Sequence, residues 1–349
     1  MKRDIPDIHD FAARKNISVP RIMDFTTTVN PLGPSAKARN AVRKNVKVMD
    51  RHPDAEARFL IRAIARSEGV PEKNVLVGET FAALATSILQ AHGASGVLCA
   101  APYPAYYRGL LNDPLKLHFC PLDRTDSFRL DITAWLDEMR RCDAAILACP
   151  SFVSAAPPAQ DAIDTILREA AGRGTLLIID ETLRRYSQMP SLSAAITGSD
   201  RCLVLSSLSE YYALAGLPVS YAIGSDAALR GIRQRSFIST PGTLAAAAAV
   251  ESLRDRTYPQ RTRSFMESEG SFVEEGLRRI PGITFFTTSG GSFVITFVDH
   301  PVKPLETFSR YRIIVDDTGD AKTLFFPVKD HKWNARYVKT LKNIMGAQR

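Results

Sequence analysis

The chain has 349 residues, 45% hydrophobic and 23% charged, which suits one large and one smaller globular domain and excludes a disordered or collagen-like chain. The formal net charge of +8 is diffuse: the densest basic run is Arg261 to Arg263, and the tail carries Lys339, Lys342 and Arg349 at helical spacing. With no stripe of alternating basic and aromatic residues, the expectation is a solvated basic surface and no nucleic-acid partner.

In chain order, residues 1–30 read as an N-terminal arm, and Pro31 to Gly33 with a helix over 35–44 lead into a large domain spanning 31–235. Strands are predicted over 74–78, 96–100, 115–120, 144–149, 176–180, 202–205 and 219–223. They are short and apolar with little alternation, as expected of strands covered on both faces. Between them, 80–91 is rich in Ala and Leu. Residues 159–171 place Ala162, Ile163, Ile166 and Ala170 on one helical face, with Gly172 and Gly174 marking the end. This alternation predicts an α/β domain with a mainly parallel seven-stranded sheet and helices on both faces. A smaller α+β domain over 236–349 follows. It has an Ala-dense helix over 244–253, an amphipathic helix over 265–279, strands over 283–286, 292–298, 312–315 and 323–328, and a terminal helix over 334–345.

The five cysteines, Cys99, Cys120, Cys142, Cys149 and Cys202, show neither CxxC nor zinc spacing, so buried thiols and no metal are expected. The first ten residues lack the apolar stretch of a signal peptide, and no apolar run approaches the ~20 residues of a membrane helix. A reducing cytoplasm is the expected location, with no membrane partner.

In open parallel sheets ligands bind beyond the carboxyl ends of the strands. Five strand ends of this chain carry polar or aromatic groups. They are Gly78-Glu79-Thr80, Pro102-Tyr103-Pro104-Ala105-Tyr106, Pro150-Ser151-Phe152-Val153-Ser154, Asp180-Glu181 and Ser206-Ser207-Leu208-Ser209-Glu210. Together they predict one crevice lined by aromatic rings, hydroxyls and the carboxylates Asp180, Glu210 and Glu79. Each piece also has an ordinary structural use, as a cap, a helix start or a packing ring. Their joint placement is what points to a site.

The order Asn30-Pro31-Leu32-Gly33, Arg51-His52-Pro53-Asp54, Pro102-x-Pro104-x-Tyr106, Asp180-Glu181, Ser207-Leu208-Ser209-x and Gly216-Leu217 resembles the class I/II aminotransferases, pyridoxal-phosphate enzymes of fold type I. It looks most like histidinol-phosphate aminotransferases and threonine-phosphate decarboxylases. The resemblance covers about residues 20 to 345. It implies the fold type I architecture, a homodimer or a hetero-oligomer with a paralogue, and a cofactor pocket. In that pocket Asp180 would pair with the pyridinium nitrogen, and Tyr103 would stack on the ring. Ser207, Asn30, Gly78 and Glu79 would belong to the same, now vestigial, surround.

Against the family pattern the sequence departs repeatedly. The Schiff-base lysine falls on Glu210, the phosphate arginine on Pro218, and the substrate-carboxylate arginine near Phe325. The phosphate turn is reduced to Gly78-Glu79, the asparagine segment is replaced by Ser151-Phe152-Val153-Ser154-Ala155, and the cross-dimer tyrosine is His52. A phosphate dianion facing Glu79 and Glu210 without an arginine is repelled. Each lost charge-assisted hydrogen bond is worth roughly 1.5–3 kcal/mol. Three readings follow. The chain is a family homologue without conventional cofactor chemistry, binding another small molecule or acting as a partner subunit. Or it is a transaminase or amino-acid-phosphate decarboxylase holding pyridoxal or pyridoxamine phosphate non-covalently. Or it is a repurposed enzyme using Asp180 and Glu210 as an acid/base pair.

Overall fold

The computed structural model describes residues 7–112, 115–298, 304–318 and 322–346; Arg349 of the basic tail lies outside them. Twelve strands form among the described residues: β1 Met23–Phe25, β2 Val75–Gly78, β3 Gly96–Ala101, β4 Lys116–Pro121, β5 Ala144–Ala148, β6 Leu176–Asp180, β7 Cys202–Ser207, β8 Ser220–Ile223, β9 Ile283–Thr287, β10 Phe293–Phe297, β11 Ile313–Val315 and β12 Thr323–Phe326. Strands β2 to β8 make one seven-stranded sheet in the order β2-β8-β7-β6-β5-β3-β4. Only β8 runs antiparallel to its neighbours. This is the mainly parallel sheet that the sequence predicts.

The apolar runs of the sheet divide between two cores because successive side chains of a strand face opposite sides. On β6, Leu177 and Ile179 join one cluster and Leu176 and Ile178 the other. On β5, Ala145 and Leu147 face the first cluster, Ala144 and Ile146 the second. Helices cover both. Gln160–Arg173 buries Ile163, Ile166 and Ala170 and ends at Gly174, whose φ of 70° is the left-handed conformation glycine adopts without strain. Phe81–Ala91 is capped by Thr80, whose hydroxyl accepts the Ala83 N–H at 3.1 Å. Strand β7 runs two residues further than its apolar stretch. The antiparallel β8 carries the ladder on through Ser206↔Tyr221 and Ser207↔Ser220.

The second unit packs the three-stranded antiparallel sheet β12-β10-β9 against helices Tyr258–Arg278 and His331–Gly346. The first of these starts seven residues before the predicted 265. Its opening turn carries Pro259 and is anchored by buried Tyr258 and Thr262, which do not repeat as an apolar stripe. Strand β1 was not expected at all. It pairs in parallel with β11, Met23 opposite Ile313, and sends fully buried Phe25 against Phe326, Trp333 and Tyr337 at centroid distances of 5.3, 6.1 and 4.6 Å. The chain's beginning is therefore fastened into the core of its end. Among the described residues no helix is long and apolar enough to cross a membrane. No group of three or more metal-ligating side chains is present among them either.

Candidate functional site

Strands β6 and β7 deliver Asp180 and Ser207 to the same edge of the sheet, and the turn after β7 brings Glu210 there. Asp180 is 1% exposed. Its Oδ2 accepts the hydroxyls of Tyr106 at 2.8 Å and Tyr107 at 2.9 Å, and its Oδ1 accepts the Thr182 N–H at 2.9 Å. Burial raises its pKa, and these hydrogen bonds oppose the rise by stabilising the anion. The same burial, with the Asp180 charge, lifts both tyrosines well above their usual range, so they remain neutral donors.

Glu210 is 8% exposed. Its pKa is pushed up to about 7, first by burial and further by the Asp180 charge, while the Ser207 hydroxyl and a backbone N–H pull it down. Among the described residues its Oε2 has no hydrogen-bond partner. The Ser207 hydroxyl also accepts the Ser209 N–H at 3.1 Å, closing the turn that carries Glu210. Glu181, adjacent to Asp180 in sequence, points into a different network. It accepts the Leu192 N–H at 2.6 Å and the Ser191 hydroxyl at 2.8 Å, and pairs with Arg184 at 2.7 Å.

Around Asp180 the space is aromatic. Phe81, the first residue of its helix, stacks on Tyr107 at 5.0 Å and 9° and meets Tyr106 edge-on at 5.3 Å. Sequence reasoning missed Phe81 and Tyr107; the one available signal was the Tyr106-Tyr107 doublet. Tyr103 lies against Phe119 in a stacked pair at 5.4 Å. A cavity between Tyr103, Tyr107, Phe128, Ser151 and Phe152 holds about 20 Å³, room for a single water.

The other candidates have structural employment in the same region. Asn30 is 2% exposed. Its amide donates to the Tyr211 carbonyl and the Thr262 hydroxyl, both at 2.9 Å, and its own N–H donates to the Glu210 carbonyl at 2.8 Å. It thus holds the Glu210 turn to the start of the chain. Gly78 lies under the next helix, where an added Cβ would meet the Leu84 side chain at 3.1 Å. Glu79 is half-buried beside it, before the Thr80 cap. Phe325, at the expected arginine position, is 1% exposed and meets Phe152 edge-on at 5.1 Å. These two rings join Leu122, Phe128, Val153, Leu183 and Val294 in an apolar cluster that spans the large and small units. Lys329 was also missed. It is buried, donates to the Thr27 carbonyl at 2.7 Å, and burial pushes its pKa down to about 8.

A family model described as aminotransferase class I and II matches residues 22–318. The threonine-phosphate decarboxylase of Salmonella typhimurium is 22% identical over 97% of this chain and 95% of its own length. Histidinol-phosphate aminotransferase 1 of Bordetella parapertussis is 28% identical over 85% of this chain and 84% of its own. Among solved structures, the histidinol-phosphate aminotransferase of Sinorhizobium meliloti in complex with pyridoxal-5'-phosphate superposes with a TM-score of 0.86, at 14% identity, over 99% of this chain and 96% of that one. At that identity the likeness establishes the fold, which is fold type I.

Proposed function

We propose that this chain, which belongs to the class I and II aminotransferase family, keeps the family fold without its conventional pyridoxal-phosphate chemistry, and acts as a small-ligand-binding or partner subunit. One observation carries the reading: the Asp180 carboxylate already holds two tyrosine hydroxyls on one oxygen. An aspartate that is to pair with a pyridinium nitrogen needs that face free. The residues around it do not fit the cofactor either. Position 210 offers a buried carboxylate instead of an amine, the helix start at Thr80 is capped by its own side chain, and Phe325 fills the place of a carboxylate-binding arginine with apolar packing. The proposed assembly is a homodimer, supported by the strongly exposed apolar side chains of Met49, Phe59 and Phe237.

Absorbance tests this directly. Purified protein mixed with pyridoxal phosphate and dialysed is expected to stay colourless in the visible range, and Glu210→Lys is expected to do the same, because a lysine alone restores neither the phosphate anchors nor room for the ring. A stable yellow wild-type protein, or transaminase activity from the lysine variant, would overturn the proposal. A second reading, Asp180 and Glu210 as an acid/base pair, draws support from the unpartnered Glu210 Oε2 and its pKa near 7. It requires a turnover that Glu210→Gln abolishes without unfolding the protein.

A further inference from the structure

The net charge of +8 is diffuse along the sequence but not on the folded surface. Strand β1 sits beside β11, and the terminal helix starts alongside them, so three distant segments meet at one cleft of about 610 Å³. Arg21 comes from the turn before β1, Arg310 and Arg312 from the turn before β11, and Lys332 and Arg336 from the first turns of the helix. All five are exposed, and no acidic residue among the described ones lines the cleft. Of these five, only Arg310 forms an ion pair among the described residues, a loose one with exposed Glu306 at 3.7 Å. Asp330, at the head of the helix, is occupied in capping: it accepts the Trp333 N–H at 3.0 Å.

Two rings complete the lining. Tyr311 is 37% exposed. Trp333 is half-buried, resting on Phe25. Five clustered cations, four of them without an ion pair among the described residues, repel one another, and an anion that bridges them removes that cost. Guanidinium groups suit phosphate oxygens through paired N–H donors. Indole and phenol faces take a flat heterocycle. The cleft volume of about 610 Å³ falls in the usual small-molecule range of about 300–1,000 Å³.

We propose that the cleft formed by Arg21, Arg310, Arg312, Lys332 and Arg336 with Tyr311 and Trp333 binds a nucleoside polyphosphate, its phosphates on the cations and its base against the rings. The site lies outside the Asp180 crevice and does not depend on what happens there. Its test uses a feature of the chain itself. There are two tryptophans, and the other, Trp135, is fully buried, so a ligand-induced change in tryptophan emission reports Trp333.

Titration of the full-length protein with ATP, followed by calorimetry and tryptophan emission, is expected to give saturable binding that weakens as salt is added. Tripolyphosphate should bind several-fold more weakly and adenosine weakly or not at all. Charge reversal in Arg21→Glu/Arg336→Glu should weaken ATP binding tenfold or more, with the far-ultraviolet spectrum and melting temperature unchanged. Trp333→Phe should keep binding and lose the emission change. Three results would overturn the proposal. The first is no saturable binding of ATP at millimolar concentration. The second is equal affinity for tripolyphosphate and ATP, which describes a generic anion patch. The third is tight binding of single-stranded RNA with ATP unable to compete, which describes a nucleic-acid surface.

Discussion

Glu210 is a carboxyl group in a place that disfavours its charge. Its pKa moves from an ordinary 4.5 to about 7 on folding, so the folded state holds a proton that the unfolded state gives up. The stabilising contribution is fully present below about pH 4.5 and is lost as pH rises through about 7. The size of the shift corresponds to about 3 kcal/mol. Glu210→Gln keeps the shape and removes the titration. Unfolding free energies of the two proteins from pH 4 to 8, measured by chemical denaturation, are expected to converge at the acid end and to favour the glutamine variant by about 3 kcal/mol at pH 8; parallel curves would refute the assignment. That Glu210 is out of pattern is legible in the sequence, as is the presence of Asp180 at a strand end. What occupies Asp180 was not legible. Tyr106 and Tyr107 lie on a short connecting segment whose direction depends on Phe81 packing from another helix. A residue-by-residue transfer of the family pattern singled out Tyr103, which sits against Phe119.

At the scale of elements, the cluster of Phe152 and Phe325 with their neighbours joins a loop after β5 to strand β12. Removing a buried phenylalanine costs about 3–5 kcal/mol through lost burial and the cavity left behind. Phe325→Ala is therefore expected to lower stability by that amount in chemical denaturation, and to increase hydrogen exchange on β10, β12 and the 151–154 loop more than on β6. Exchange rising first in β6 would show that the cluster is not the link between the units. The inner strands of the sheet were readable from sequence because burial on both faces leaves unbroken apolar runs such as Leu176 to Ile179, while the edge strand β4, largely part-exposed, carries a weaker signal. Strand β1 was not readable. Three residues carry no period, and its partner β11 lies at the far end of the chain. The early start of the helix Tyr258–Arg278 escaped for a related reason, since its first turn is fixed by tertiary contacts.

For the whole molecule, the large exposed rings bear on assembly. Phe59 is 72% and Phe237 87% exposed, and exposed rings of this size are the ones a partner surface would cover. Light scattering is expected to give twice the chain mass of 38.4 kDa, and Phe59→Asp with Phe237→Asp to return it to the single-chain value with the fold intact. A wild-type mass of one chain would rule out the proposed homodimer.

The pairing of β1 with β11 also has a temporal consequence. A chain leaves the ribosome from its first residue onward. Met23 to Phe25 are made long before their strand partner Ile313 to Val315 and the ring partners Phe326, Trp333 and Tyr337. Asn30 likewise waits for Tyr211 and Thr262. The parallel sheet can assemble while translation continues, whereas Phe25 has no native place to be buried until the segment from Ile313 to Tyr337 has been made.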